Sequence, residues 1–110
     1  MKKDMNMEYL NKVELIGTIG SVSKRNVCGI NHCRFSVATN YTYKGVTTPV
    51  IETTWTQVVA FEGGAIEELP NLEKGDKVHV VGRLRSARFT DTNGNDVVSY
   101  EVVAKTLEKV

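Results

Sequence analysis

The residues best placed to do chemistry in this chain are aromatics and arginines set in strand-like runs. Trp55 and Phe61 stand six apart within IETTWTQVVAF (51–61). In an extended strand an even spacing puts both side chains on one face, with Gln57 and Val59 between them. The opposite face then carries Thr54, Thr56, Val58 and Ala60. Alternation alone leaves open which face is the core, because a buried tryptophan and an exposed one fit the same spacing. The run from Lys77 to Phe89 favours an exposed aromatic face. One alternation there holds Val81, Arg83, Arg85, Ala87 and Phe89, and the other holds Val80, Gly82, Leu84, Ser86 and Arg88. Two arginines and a terminal aromatic do not make a core face, since an unpaired buried guanidinium is strongly unfavourable.

Such a surface can do two things at once. Flat rings stack on unpaired bases of any kind, worth about 1–3 kcal/mol per base, while lysine and arginine neutralise phosphates. The formal net charge is only +1, yet residues 77–90 hold Lys77, Arg83, Arg85 and Arg88 and no acid. The acids gather instead in 62–76, so a nearly neutral chain carries a basic strip beside an acidic segment.

Catalysis finds little support. There is no GxSxG, HExxH, P-loop or GxGxxG pattern, and no nucleophile is spaced to meet a base. Gly63-Gly64 could seat a phosphate at a helix start, but Glu62, Glu67 and Glu68 argue against an anion there. Cys28 and Cys33, with His32 beside the second, fall short of a four-ligand zinc set and read as ordinary thiols. No metal or cofactor is expected. The opening MKKDMNMEYL lacks an apolar core, so it is no secretory signal. No run of about 18 apolar residues offers a membrane span. The expected location is the cytoplasm.

The elements that must hold these residues are β-strands. With 110 residues, 41% hydrophobic and 25% charged, the chain has the size and composition of one globular domain. Residues 1–10 are expected to be a flexible or partly ordered N-terminal segment. Strands are expected at 12–22, 32–43, 51–61, 77–89 and 97–107. A polar turn fills 24–31, a loop fills 44–49, and Asn93-Gly94 marks a hairpin within 91–96. Ala65, Ile66, Leu69 and Leu72 recur at spacings of three and four, which reads as a short helix cut or kinked by Pro70. Three strands, a helix and two strands predict an all-β fold: a five-stranded Greek-key OB barrel with one short helix between strands three and four. An SH3-like barrel or a small sandwich is the alternative.

Several blocks of the sequence resemble one family. NKVELIG (11–17), FSVATN (35–40), TTWTQVVAFEGGA (53–65), LEKGDKVHVVGRLRSARFTDTNGND (72–96) and YEVVA (100–104) look like the bacterial single-stranded DNA-binding protein family, in the right order and over residues 11–107. The resemblance implies an OB fold, a homotetramer around which single-stranded DNA wraps, and a role in replication, recombination and repair. It matches Trp55 and Phe61 to base-stacking aromatics of the third strand. Tyr43 falls where the family usually has tryptophan near the end of strand two, and Phe89 falls at another stacking position. Arg83, Arg85 and Arg88 lie in the family's basic strand, Lys44 in a loop that often touches DNA, and Lys12 at a basic position of the opening motif. There are departures. The chain stops at LEKV, so the family's acidic tip is missing and tail-mediated protein recruitment is not expected of it. Tyr43 and Phe89 offer smaller surfaces than tryptophan. Thr56 replaces a histidine often found at a subunit contact, which leaves a dimer as the alternative assembly. GINHCRF (29–35) also resembles primosomal replication protein N, a dimeric relative, which ranks second.

Overall fold

The computed structural model describes residues 8–110 and contains five strands: β1 (Val13–Val27), β2 (Ile30–Lys44), β3 (Pro49–Phe61), β4 (Lys77–Thr90) and β5 (Asp96–Lys109). Of the N-terminal segment expected to be flexible, residues 1–7 lie outside the described ones. The strands close into a barrel in the order β1-β2-β3-β5-β4, with β4 returning to β1. This is the expected OB architecture. All pairings are antiparallel except β3 with β5, which meet in a short parallel contact at Val58↔Val102 and Val59↔Val103.

Alternation sets the core. Phe35 and Val37 of β2, Val58 and Ala60 of β3, Val78 and Val80 of β4, and Val102 and Ala104 of β5 all point inward, and Ile19 of β1 joins them. β-branched and aromatic residues suit these pleated, half-buried surfaces. Outside the barrel wall two ribbons run on as arms. From Asn40 to Thr53 on β2–β3, and from Ser86 to Tyr100 on β4–β5, nearly every residue is exposed.

The expected helix is absent. Between β3 and β4 the chain makes turns and one isolated bridge, Gly63↔Ile66. Gly63 and Gly64 have φ of 89° and 82°, in the left-handed region that a right-handed helix excludes. Pro70 disfavours a helical conformation at Leu69. The Leu69 amide, which a helix would give to a carbonyl one turn back, is donated instead to Glu62 Oε2 at 3.0 Å. The three-and-four spacing has another cause: Ile66 and Leu72 are buried as plugs at one end of the barrel, with Leu69 packed against them. The segment is tied down by Gly75 N–H to Ile19 O and Ile19 N–H to Asp76 O, at 2.8 and 2.9 Å.

The first turn is also shorter than expected. β1 and β2 stay paired past residue 24 as far as Val27↔Ile30, and only Cys28 and Gly29 form the turn. Both have positive φ, 54° and 80°, the signature of a two-residue type I′ hairpin. At the β4–β5 turn Gly94 alone has positive φ, and Asp91 Oδ1 accepts the N–H groups of Asn93 and Asn95, both at 2.9 Å.

On the outer side of β1, β4 and β5, His79 lies between two carboxylates. Its Nε2 is 2.6 Å from Glu14 Oε2 and its Nδ1 is 3.5 Å from Glu108 Oε1. The hydrogen bond with Glu14 is the main reason the His79 pKa rises above 6.5, and the same bond lowers Glu14 below 4.5, with Lys12 adding a smaller pull. A raised imidazole stabilises the fold below 6.5 and loses that effect as pH rises through its folded value. A lowered carboxylate stabilises above 4.5 and loses it as pH falls. Both contributions are therefore complete only between 4.5 and 6.5. The urea midpoint is expected to be higher at about pH 5.5 than at about pH 8.5, and His79→Gln should shrink that difference. An unchanged difference in the variant would remove this cluster as its source.

Candidate nucleic-acid interface

The site grows from a bulge. The β1–β2 register shifts between Ile19 and Val22, which leaves Gly20 and Ser21 out of step with β2. Ser36 of β2 repairs the break: its Oγ accepts the Ser21 N–H at 3.0 Å and lies 2.9 Å from Ser21 Oγ. That contact explains a buried hydroxyl in an otherwise apolar strand. Gly20 then lies under Trp55. A Cβ at position 20 would overlap the six-membered part of the indole, with Cζ3 and Cη2 as its nearest neighbours. The ring therefore rests on bare backbone. It remains 57% exposed, with one face supported and the other open.

Along β3 the same alternation carries Gln57, Val59 and Phe61 on the side away from the core, with Val59 itself fully covered. Val58 and Ala60 occupy the core, so the open question of which face is buried is answered by the structure. Phe61 sits about 20 Å from Trp55 along the strand and is half-buried. Its ring is 5.6 Å from that of His32, and the Arg85 guanidinium carbon lies 5.8 Å from its centre. Cation and ring attract at this distance.

The basic strand looks different in three dimensions. Glu101 stands directly opposite Arg85 across β4–β5. Arg85 donates from Nε and Nη2 to Glu101 Oε2 at 2.9 and 2.7 Å, and Arg34 of β2 donates from Nε to Oε1 at 3.4 Å. Partial burial pushes the Glu101 carboxyl up, but the two arginines outweigh it and hold its pKa below 4.5. Arg85 is thus a neutralised, aligned cation, not a free one. Arg83 has a different setting. It lines a groove of about 790 Å³ together with Lys12 and Lys105. Lys105 lies at a β5 bulge, where Ala104 faces Gly82 and Thr106 faces Val81. Asn11 fixes the groove's edge: its side-chain amide donates to Leu84 O at 2.6 Å, and its oxygen accepts the Leu84 N–H at 2.9 Å.

The structure brings most of the expected residues to one outer face and leaves two off it. Leu84 pairs with buried Val102, so Leu84, Ser86 and Arg88 share the inward-looking side of the β4–β5 arm, while Arg83, Arg85 and Phe89 share the outer side. Tyr43 pairs with Val50, five residues from Trp55, so it leaves the β2–β3 arm on the face opposite Trp55. There it pairs with Tyr41, ring centres 6.2 Å apart. Lys44 shares the parity of Ala38 and hence the face of Trp55, at the arm's tip. A glycine inside the first strand suggests a bulge, and Gly20 lies at one, but sequence reasoning missed its place under Trp55, and it missed Arg34, Glu101 and Lys105. The contact of Gly20 with Trp55 and the roles of Arg34 and Glu101 arise from pairings between strands, which no local pattern shows. Lys105 had a signal, as a cation following the buried alternation of Val102 and Ala104.

Replacing Gly20 tests how the platform is built. Gly20→Ala should push the indole off the bulge: Trp55 emission shifts to the red and becomes easier to quench with acrylamide, while the β-sheet circular dichroism stays. An unchanged Trp55 spectrum would show that the ring does not depend on the missing side chain.

With this geometry in place, comparisons give it a family. Residues 10–110 match the single-strand binding protein family. Single-stranded DNA-binding protein 1 of Xylella fastidiosa is 37% identical over 106 residues, covering 93% of this chain and 78% of that protein. The single-stranded DNA-binding protein of Rickettsia conorii is 32% identical over 99 residues, covering 86% of this chain and 65% of that one. Among solved structures, a Plasmodium falciparum SSB complex with ssDNA superposes with a TM-score of 0.80 at 26% identity, covering 96% of this chain and 99% of the other. A small single-stranded DNA-binding protein from Streptomyces coelicolor shares the fold, with a TM-score of 0.66 at 20% identity over 90% of this chain and 93% of the other. The chain whose barrel carries Trp55, Phe61 and Arg85 on one outer face belongs to the single-strand binding protein family.

Proposed function

We propose that this chain binds single-stranded DNA with little sequence preference, laying the strand across the outer face of β2, β3, β5 and β4. The observation that carries this reading is Trp55, a large ring held on Gly20 with its outward face open. Stacking on an indole needs a flat base and no particular sequence. Phe61 continues the line, Arg85 lies over its ring, and Arg83, Lys12 and Lys105 offer cations for the phosphates nearby. Lys44 and Phe89 extend the same face along the arms. Tyr43 and Arg88, on the opposite side of the arms, would meet a strand that wraps round them. The family match and the ssDNA complex of the Plasmodium falciparum relative support the reading. A binding role without a reaction, self-association as a homotetramer or dimer, and protection of single strands in replication, recombination and repair at the cytoplasmic nucleoid belong to the same proposal.

Titration with poly(dT) should quench Trp55 emission, and affinity should fall with salt at a log–log slope of about −0.7 per phosphate contacted. Trp55→Ala should weaken binding by roughly 1–3 kcal/mol while the barrel stays folded. Emission that does not change at saturating DNA would sink the stacking role of Trp55. Glu101 generates a second expectation. It competes with phosphate for Arg85 and Arg34, so Glu101→Gln should tighten DNA binding and steepen the salt slope by up to about 0.7 for each arginine released. Equal or weaker binding would mean these arginines do not reach the strand.

A further inference from the structure

Lys12, one of the cations of the basic groove, has an acidic neighbour. Outward residues of β1 and β4 stand side by side, Glu14 against Val81 and Ile16 against His79. The same register carried one rung past Val13↔Gly82 sets Lys12 against Arg83, and both line the groove. Glu14 therefore stands between two cationic neighbours on one exposed face. On one side is Lys12, whose charge acts on it. On the other is His79, whose Nε2 is 2.6 Å from Glu14 Oε2. Lysine keeps its charge near neutral pH, whereas an imidazole loses it there.

The hydrogen bonds of His79 make this difference matter. A charged imidazole has two N–H donors, and here two carboxylates receive them: Glu14 at Nε2, and Glu108 at Nδ1, 3.5 Å away. A neutral ring has one donor, so one carboxylate loses its hydrogen bond and both lose a cation. Glu14 is the one with a second cation close by. The other charged groups near His79 lie farther off. Lys77 is one outward step away along β4 and Arg83 two, while Lys105 lines the groove and Lys109 is paired with Asp76.

We infer that Glu14 regulates the basic groove with pH: while His79 is charged Glu14 stays with it and leaves Lys12 to phosphate, and once His79 is neutral Glu14 turns to Lys12 and withdraws that cation from the groove. The inference rests on the function proposed above, and it names a control on that site. The aromatic platform takes no part, because Trp55 and Phe61 stand on β3, which does not neighbour β1 in the barrel. At about pH 5.5 Glu14 is already held by His79, so a strand added there leaves the cluster as it is.

The test measures the salt dependence of oligo(dT) binding, read by Trp55 quenching, at about pH 5.5 and about pH 8.5. The log–log slope should be steeper at the lower pH by up to about 0.7, the share of one phosphate, and binding should be several-fold tighter there. Glu14→Gln should keep the steep slope at both pH values. His79→Gln, which cannot take up a charge, and Lys12→Met should each show the shallow slope at both, with circular dichroism confirming that the barrel is folded. His32 is the other histidine and its ring lies beside Phe61, so His32→Gln should retain the full difference. A difference that persists in His79→Gln and Lys12→Met, or that vanishes in His32→Gln, overturns the switch. Equal slopes in the unaltered protein, with Trp55 quenched, overturn it and leave the proposed function standing. No quenching of Trp55 at either pH defeats the function itself, and the switch with it.

Discussion

The outer face depends on how β3 closes against β5. Only two rungs make this contact, Val58↔Val102 and Val59↔Val103, and they run parallel in an otherwise antiparallel barrel. Side chains alternate along a strand, so pointing Val58 and Val102 into the core puts Val59 and Val103 on the opposite side of the wall, where Val59 is nevertheless fully covered. Trp55, Gln57 and Phe61 follow Val59. On the other side Glu101 follows Val103, and the β4–β5 register then sets Arg85 opposite Glu101. A slip of one residue would send every one of these side chains to the opposite face. The buried valines thus align a row of rings on β3 with a row of cations on β4.

Two bulges adjust this surface. At Gly20 and Ser21 the break in β1 opens bare backbone under Trp55, and Ser36 satisfies the amide that the break leaves free. At Lys105 the extra residue in β5 turns a lysine towards Arg83 and Lys12. Between the aromatic platform and this basic groove lies the Arg34–Glu101–Arg85 cluster, where one carboxylate holds two guanidiniums in line. The effect is to order cations without leaving them mutually repelling. Farther along the same outward alternation of β4, beyond Val81, the surface is arranged otherwise: Glu14, His79 and Glu108 lie together there, with Ile16 exposed nearby. Phosphate has little reason to settle against two carboxylates.

Much of this was legible in the sequence because it is local. Period-two alternation located all five strands within a few residues, and counting puts Trp55 with Phe61 on one face of β3 and Arg83 with Arg85 on one face of β4. The helix was misread because spacing reports which residues are buried, not how the backbone gets them there. Ile66, Leu69 and Leu72 reach the barrel's end through a chain of turns that Gly63, Gly64 and Pro70 impose. The pairing of Arg85 was invisible for a different reason. Residues 77–90 contain no acid, but the acid that matters is sixteen positions away across a hairpin. Tyr43 shows the same limit. Its type suits stacking, yet only the β2–β3 register reveals that it leaves the arm on the side opposite Trp55.

The most direct measurement of where a strand lies is chemical-shift mapping of the isotope-labelled protein as oligo(dT) is added. The account predicts large changes at the Trp55 indole N–H, at Phe61, Arg85 and Lys105 along the outer face of β2, β3, β5 and β4, and none at Glu14, Ile16, His79 or Glu108. Changes centred on the Glu14–His79–Glu108 side, with Trp55 and Phe61 unmoved, would contradict it.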